Sequence, residues 1–251
     1  MRHGSDRKDI ARVRIGCAGW SIAAAHRGLF GEGDSVLARY ATRFDAVEIN
    51  SSFYRPHRRT TYARWAEAVP TTFRFSVKVP RAITHDLRLQ RTGAALDRFM
   101  DEAGGLGDRL GCLLVQLPPS LAHDARTATT FFAMLRRRWP GAVACEPRHA
   151  AWFEPQVDAL LMRHRIARVA ADPAPHPGAG TPAGEPMLRY WRRHGAPRIY
   201  YSAYDDNALR ALADAVAGTT AKDAEAWVIF DNTAQGYATP NAVDFQTLIR
   251  R

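Results

Sequence analysis

The segment "FRFSVKVPRAITHDLRLQRTGAALDRFMDEAG" (residues 73–104) carries the pattern that decides the fold. Residues 73–78 alternate apolar and polar side chains, as a β-strand does. Residues 93–104 instead place apolar side chains three and four positions apart, as an amphipathic helix does. A strand followed by a helix is the unit of parallel α/β proteins, because the helix returns the chain to the start of the next strand. The segment therefore predicts one β/α unit.

The same unit recurs along the chain. Seven further strand-like runs occupy residues 13–20, 46–50, 112–117, 142–147, 167–172, 187–194 and 226–231. Amphipathic segments lie between them at residues 35–44, 60–69, 128–139, 156–165 and 207–218. Eight strands in 251 residues favour a single-domain (β/α)8 TIM barrel over an open doubly wound sheet. Residues 172–186 contain too much Pro and Gly for a helix, so we expect an irregular sixth crossover.

The N-terminal segment, the lengths of the apolar stretches and the cysteines limit the class of protein. Residues 1–12 are basic with no apolar run behind them, which predicts a disordered or tag-like tail before a barrel domain at 13–251. No stretch approaches the roughly 18 apolar residues of a spanning helix, so we expect no membrane association. Cys17, Cys112 and Cys145 are scattered through apolar runs, which fits a reducing cytoplasm.

The net charge of +10 has two interpretations. It suggests an acidic partner, and nucleic acid is therefore kept as an alternative. Much of the arginine lies in short bursts such as residues 136–138, however, which are typical of a solvated helix face. Dinucleotide, P-loop and zincin motifs are absent, so no cofactor is predicted. No protein partner can be inferred.

Polar side chains gather at the carboxyl ends of the predicted strands. In residues 46–50, Val47 and Ile49 share one face, so Glu48 and Asn50 lie on the other. Barrel enzymes place their chemistry at these ends. The predicted catalytic residues are Lys78, Glu146, His194, Glu48 and Asp172. The predicted substrate-binding residues are Trp20, Asn50, Tyr54, His85, Gln116, Arg148, Trp152, Arg192, Asp231, Asn232 and Asn241. Residues 231–242 also predict amide-rich turns that could present backbone N–H groups to an anion.

Lys78 is the residue whose identity is most informative. The chain has 3 lysines among 35 basic residues, and the other two, Lys8 and Lys222, lie in polar segments. A lysine can lose its proton near neutral pH, whereas an arginine cannot. Arg148 and Arg192 at the same strand ends would lower the pKa of Lys78, which suits a Schiff-base nucleophile or a general base. In the alternative interpretation, Lys78 is a permanent cation between Glu48 and Glu146.

A divalent metal is an alternative at the same strand ends. The side chains with suitable ligand chemistry are Glu48, Glu146, Asp172, His194 and Asp231. Lys78, Arg148 and Arg192 would bring positive charge into the same space, which opposes a bound cation. No metal is therefore assigned.

Seven motifs together resemble those of one known family. They are "GCAGW" (16–20), "FDAVEINSSFYR" (44–55), "FRFSVKVPRAITH" (73–85), "LGCLLVQLPPS" (110–120), "CEPRHAAW" (145–152), "YWRRHG" (190–195) and "FDNTAQGYATPNA" (230–242). The family is the YecE-like family of TIM-barrel proteins, domain of unknown function 72. The resemblance spans nearly the whole chain from about Arg14 and implies the barrel, but it supplies no reaction. Asp231 departs from the family pattern, which usually has Asn there.

Three functions are compatible with this sequence. The first is an enzyme for a small anionic substrate, phosphorylated or carboxylated, and a hydrolase or a lyase is favoured. Arg148 and Arg192 would clamp the anion, Lys78 or Glu146 would move protons, and His194 would assist. The first alternative is a metal-assisted nucleic-acid phosphodiesterase. The second is a non-catalytic ligand-binding barrel.

Overall fold

The computed structural model describes residues 12–219, 221 and 223–249. Its strands are β1 (Arg12–Cys17), β2 (Ala46–Ile49), β3 (Arg74–Lys78), β4 (Leu110–Gln116), β5 (Ala142–Glu146), β6 (Ala167–Arg168), β7 (Ala170–Asp172), β8 (Ala183–Gly184), β9 (Leu188–Arg193) and β10 (Glu225–Phe230). Its helices are α1 (Val36–Tyr40), α2 (Arg59–Glu67), α3 (Gly93–Ala103), α4 (Ala125–Arg138), α5 (Pro155–Arg163), α6 (Asp206–Thr219) and α7 (Ala238–Ile249).

The strands form two largely parallel sheets. One has the order β1-β10-β9-β7 and the other β2-β3-β4-β5-β6-β8. The short β8 pairs antiparallel with β6, and the other pairs of strands in the described residues are parallel. An isolated parallel bridge between Ala18 and Glu48 connects β1 with β2. The molecule therefore has the mixed α/β architecture with parallel strands that the β/α alternation predicts.

Strand alternation divides the core into two apolar clusters. Residues such as Val47, Phe75 and Leu113 pack in the larger cluster together with buried helix residues such as Leu96 and Phe131. The alternate strand residues form a second cluster. Its fully buried members are Ala46, Cys112, Leu114, Ala144, Ala167, Tyr190, Trp227 and Ile229. The strand face that carries the second cluster becomes polar at the carboxyl ends of the strands. The candidate site lies at this polar end.

Two segments test the sequence predictions at the level of elements. Residues 172–186 contain no α-helix but a short helical turn, Pro177–Gly180, and β8, as the Pro and Gly content predicts. The turns predicted for residues 231–242 are only partly correct, because α7 begins at Ala238 and continues to Ile249. Of the predicted basic tail, residues 1–11 lie outside the described residues and Arg12 begins β1. No helix in the described residues is both long enough and apolar enough to cross a membrane.

Candidate functional site

Arg192 occupies the centre of the polar end of the strands. Its side chain is completely buried. Nε and Nη2 donate to the Glu48 carboxylate at 3.0 and 2.7 Å. Nη1 donates to Glu146 at 2.6 Å, and Nη2 also donates to Asp231 at 2.9 Å. Because Arg192 lies on β9 and its partners Glu48 and Glu146 lie on β2 and β5, these ion pairs connect the two sheets.

The local charge balance favours the charged form of Arg192. Burial alone would lower its pKa, but Glu48, Glu146 and Asp231 raise the pKa well above its usual value. Glu146 responds in the opposite direction. Burial would raise its pKa, yet Arg192, His194 and Arg148 hold the pKa well below its usual value. Arg192 and Glu146 therefore both stay charged at neutral pH.

His194 bridges two of these carboxylates. Its Nδ1 lies 2.9 Å from Asp231 Oδ2, and its Nε2 lies 3.0 Å from Glu146 Oε1. Burial lowers the pKa of His194, but Glu146 and the hydrogen bonds to both carboxylates outweigh burial and raise the pKa overall. Both ring nitrogens can donate only when the imidazole is protonated. The geometry therefore favours the imidazolium.

Lys78 lies beside this network but is not bound into it. Its Nζ donates to Asn50 Oδ1 at 3.1 Å and sits 4.2 Å from the centre of the Phe53 ring. The residue is 4% exposed. Burial and the charge of Arg192 lower the pKa of Lys78 to about 8, against the opposing effect of the carboxylates. The interpretation of Lys78 as a cation between Glu48 and Glu146 does not fit, because Arg192 occupies both carboxylates.

A pocket of about 430 Å³ opens above Lys78. Six predicted site residues line it: Asn50, Tyr54, Lys78, His85, Gln116 and Asp231. Gln116 connects the pocket to the buried charges, since its Nε2 donates to Glu146 Oε2 at 3.1 Å. Arg148 donates to the same carboxylate from its Nη2 at 3.1 Å, and its side chain is 27% exposed.

A π-helical turn, Ala82–Asp86, follows β3 and places His85 at the pocket. Such turns occur frequently at functional sites. The His85 ring packs edge-on against Phe53 at 4.9 Å, and its Nδ1 lies 2.8 Å from Thr84 Oγ1. Burial and the charges of Arg81, Lys78 and Arg148 lower the pKa of His85. Of these cations, Lys78 and Arg81 line the pocket together with His85, and Asp86, which pairs with Arg81, opposes their effect on the pKa of His85.

The loop after β9 forms another wall. Gly195 takes φ +94°, where a Cβ would come within 2.8 Å of the Ser202 carbonyl oxygen, so this turn requires glycine. Asn241 fixes the far end of the loop, because it accepts from Tyr204 N at 3.0 Å and donates to Tyr204 O at 2.9 Å. Asn232 donates to Asn241 at 2.9 Å and to the carbonyl of Ser202. Asn232 and Asn241 thus support the loop.

Several predicted site residues lie away from the pocket or act differently from the prediction. Trp20 packs edge-on against Trp65 at 5.0 Å. Trp152 is buried and donates from Nε1 to the carbonyl of Leu121. Asp172 pairs with Arg193 at 3.1 Å. The anion-clamping role predicted for Arg192 does not fit the structure, because the guanidinium has no exposed surface and already binds three carboxylates.

Other residues at the pocket were missed by sequence reasoning. They are Phe53, Arg81, Tyr200 and Tyr201, whereas Thr233 and Ala234 lie within the turns predicted for residues 231–242. The tyrosines lie in the irregular segment between β9 and α6, where the sequence gives no periodic signal. Tyr190 was also missed, although it lies two positions before Arg192 on the same strand face. Its hydroxyl donates to Glu48 and lies 2.8 Å from Ser76 Oγ.

No group of three or more His, Cys, Asp or Glu side chains in the described part of the chain is arranged to hold a metal ion. Of the carboxylates with suitable chemistry, Glu48, Glu146 and Asp231 bind Arg192, and Asp172 binds Arg193. The alternative that depends on a metal gains no support from this arrangement.

Comparison with known proteins identifies the family. Residues 14–251 match the family described as "Protein of unknown function DUF72". The chain belongs to the DUF72 family. It is 30% identical over 170 residues to UPF0759 protein YecE of Escherichia coli (strain K12), an alignment that covers 65% of this chain and 60% of that protein. The match to the same-named protein of Escherichia coli O157:H7, also 30% identical, covers 42% of this chain and 38% of that protein.

Solved DUF72 structures share the fold. A DUF72 protein of Enterococcus faecalis V583 is 23% identical and superposes with a TM-score of 0.80, covering 95% of this chain and 96% of that one. A DUF72 protein of Thermotoga maritima MSB8 is 24% identical, with a TM-score of 0.78 and coverage of 96% and 100%. At this level of identity the likeness concerns the fold alone.

Proposed function

We propose that this DUF72 protein is an enzyme that acts on a small anionic substrate, carboxylated or phosphorylated, with the Lys78 amine as nucleophile. One observation carries the proposal. The amine is buried at a pocket of about 430 Å³, is held by the neutral Asn50 amide and has a pKa lowered to about 8. A lysine with a lowered pKa has the neutral form that nucleophilic attack on a carbonyl requires.

The charges around the pocket support an anionic substrate. The carboxylates Glu48, Glu146 and Asp231 are neutralised by Arg192, Arg148 and protonated His194. With that set in balance and Arg81 paired with Asp86, a protonated Lys78 leaves one positive charge at the pocket. The ion pair of Arg81 with Asp86 is exposed, with the two side chains 58% and 57% accessible, so Arg81 can exchange this weak pair for an incoming anion.

The chemical step uses the neutral amine. The Lys78 nitrogen attacks a substrate carbonyl carbon, and a C–N bond forms as the carbonyl π bond opens. The resulting carbinolamine expels its oxygen as water and leaves a protonated Schiff base, so that one proton is taken up from solvent overall. The iminium then withdraws electrons from the neighbouring carbon, as lyase chemistry requires. Arg81 would hold the anionic group.

Borohydride trapping tests this function. Wild type is incubated with pyruvate or glyceraldehyde 3-phosphate and sodium borohydride, and the peptides are analysed by mass spectrometry. We expect a reduced adduct on Lys78 and none at that position in Lys78→Arg. A thermal-shift assay separates the alternatives. If these compounds raise the melting temperature of wild type but leave no adduct, the non-catalytic binder is favoured. If only DNA or a divalent metal raises the melting temperature, and does so equally in Lys78→Met, the phosphodiesterase is favoured.

The proposal includes a closed (β/α)8 barrel made of one domain, residues 13–251. The bridge between Ala18 and Glu48 supports closure on one side. On the other side, β6 and β7 belong to different sheets but are separated in the chain by Val169 alone. An experimental structure with solvent-exposed edges at β2 or β7 would contradict closure. A basic tail before the barrel and a cytoplasmic location belong to the same proposal.

A further inference from the structure

A second cavity lies directly behind the wall of the Lys78 pocket. Its volume is about 280 Å³, and it lies between the chain after β2, the π-helical turn and α3. Ile83 and Phe99 contribute its apolar surface and are 1% and 2% exposed. Its charged lining residues are Arg55, Arg81 and Asp86 and, from α3, Arg98 and Glu102. Its size is below that of sites that enclose a whole drug-sized ligand and suits one arm of a larger molecule.

The two cavities share part of their lining. Phe53, Tyr54 and Arg81 line both. The centre of the Phe53 ring is 4.2 Å from Lys78 Nζ, so one ring separates the amine from the second cavity. Tyr54 packs edge-on against Phe53 at 5.0 Å and is 72% exposed. An exposed tyrosine on this shared wall can rotate without disturbing the core.

We propose that the second cavity is a subsite for the apolar arm of the substrate, and that the substrate is a 2-oxo acid with an apolar side chain. This inference rests on the function proposed above. The carbonyl would meet the Lys78 amine, the adjacent carboxylate would meet the cations, and the side chain would pass Tyr54 to lie against Ile83 and Phe99.

The positions of the cations favour a carboxylate next to the reacting carbon. Arg81 lines the same pocket as Lys78, and Arg148 binds Glu146, which accepts a hydrogen bond from the pocket residue Gln116, so both guanidinium groups lie close to the pocket that holds the amine. A 2-oxo acid carries its anionic group one bond from the carbonyl, which suits this clustering. The third substituent of the carbonyl carbon is the side chain of the acid. It would lie in the second cavity, which shares Phe53 with the pocket.

A chain-length series tests the subsite. Lys78 is trapped with borohydride in the presence of pyruvate, 2-oxobutyrate, 2-oxopentanoate or 2-oxohexanoate, and the concentration of half-maximal labelling is measured. We expect this concentration to fall by about fourfold for each added CH₂, the gain expected for burying one methylene. Equal labelling by all four acids would overturn the subsite.

Two substitutions on α3 make the test specific to the cavity. Ala95 lines it and is half-buried, whereas its neighbour Ala94 is exposed. We expect Ala95→Phe to fill the cavity. The ratio of the half-maximal labelling concentrations of pyruvate and 2-oxohexanoate should then fall to about one. Ala94→Phe is the matched control and should keep the wild-type ratio. A length dependence that survives Ala95→Phe would contradict the assignment of the cavity.

Failure of the subsite can be separated from failure of the proposed chemistry. Acetate, butyrate and hexanoate have no reactive carbonyl, so their binding to Lys78→Met by isothermal titration calorimetry reports the subsite without the amine. If no 2-oxo acid labels Lys78 but hexanoate binds more tightly than acetate and Ala95→Phe removes the difference, the chemistry is wrong and the apolar subsite stands. If labelling occurs but neither series depends on chain length, the chemistry stands and the subsite is wrong.

Discussion

Arg192 and Lys78 are neighbouring basic side chains with different binding partners. Arg192 takes the carboxylates of Glu48, Glu146 and Asp231, and Lys78 is left with the neutral amide of Asn50. If a carboxylate contacted the amine instead, its charge would raise the lysine pKa. The arginine network therefore leaves the pKa of the lysine at about 8, so that a minor fraction of the amine is neutral at pH 7.

Burial of Lys78 should cost stability, and the cost should depend on pH. Its pKa is lowered from 10.5 to about 8, so the folded protein loses this proton at lower pH than the unfolded chain does. At pH 7 the charged amine is held against this preference, and we expect Lys78→Met to stabilise the protein by about 1–3 kcal/mol in urea denaturation.

The sign of this effect reverses the usual expectation for a lysine. Between pH 8 and 10 the unfolded chain binds more protons at Lys78, so the stability of wild type rises with pH and the advantage of Lys78→Met shrinks. Lys222→Met removes a lysine from a polar segment and is the control, with no comparable change. An advantage of Lys78→Met that grew towards pH 10 would contradict the lowered pKa.

Removal of Arg192 should be far more costly than removal of its neighbour. Arg192→Met leaves three buried carboxylates without their cation, and we expect a loss of about 3–5 kcal/mol in the free energy of unfolding. Arg193→Met is the matched control on the same strand. Arg193 pairs with the partly exposed Asp172 and lies 4.5 Å from the centre of the Tyr204 ring, so its loss should cost about 1–2 kcal/mol. Equal losses in urea denaturation would show that the Arg192 network does not hold the sheets together.

At the residue scale, alternation on the strands was a reliable guide to which side chains face inward. It placed Glu48, Lys78, Glu146 and Arg192 on one face, and the structure buries all four. It could not assign their partners. Whether Glu48 binds Lys78 or Arg192 depends on the relative heights of strands that are distant in sequence, and periodicity contains no information on that.

At the scale of elements, the loop after β9 depends on α7. The side chain of Asn241 on α7 makes three hydrogen bonds, two with the Tyr204 backbone and one with Asn232. We expect Asn241→Ala to cost about 1–3 kcal/mol, because the Tyr204 amide loses its acceptor. Hydrogen exchange followed by mass spectrometry should show faster exchange in residues 198–204.

A control within the same region separates this effect from general destabilisation. Asn207 lies exposed on α6, close in sequence to the loop, and Asn207→Ala should leave exchange in residues 198–204 at the wild-type rate. If Asn241→Ala also left that exchange unchanged, the loop would not depend on α7.

Helix and strand positions were predictable where periodicity is strong. Residues 93–104 and 207–218 predicted α3 and α6 almost to the residue. The helix α7 was missed because it begins within "ATPNA", where Pro and Asn indicate a turn. Pro is tolerated in the first turn of a helix, so the turn signal and the helix start coincide here. The π-helical turn after β3 has no sequence signature that would distinguish it from a loop.

At the scale of the whole molecule, the net charge of +10 needs a test of its own. We expect a labelled 20-nucleotide DNA to bind only in the non-specific range, with an affinity that falls by about 10³-fold or more between 50 and 200 mM salt. Fluorescence anisotropy would measure it. Tight DNA binding that resists salt and is lost in Lys78→Met would place nucleic acid in the pocket and contradict the metabolite function.

The overall architecture could be predicted from composition and the repeated strand–helix pattern, but the reaction could not be predicted from them. Repeated strands and helices predict parallel sheets because of the physics of chain connection. A reaction depends on cavities, and the shared wall of Phe53, Tyr54 and Arg81 joins segments whose closeness only the folded chain reveals.

The protonation of Lys78 in the folded protein is the central claim, and NMR titration measures it directly. Because the chain has only three lysines, [¹³Cε]lysine labelling gives three resonances, and Lys78→Arg identifies the one of interest. We predict that this resonance titrates with a pKa of about 8. A pKa near 10.5 would show that the amine is an ordinary cation at neutral pH and would contradict the nucleophile on which this account depends.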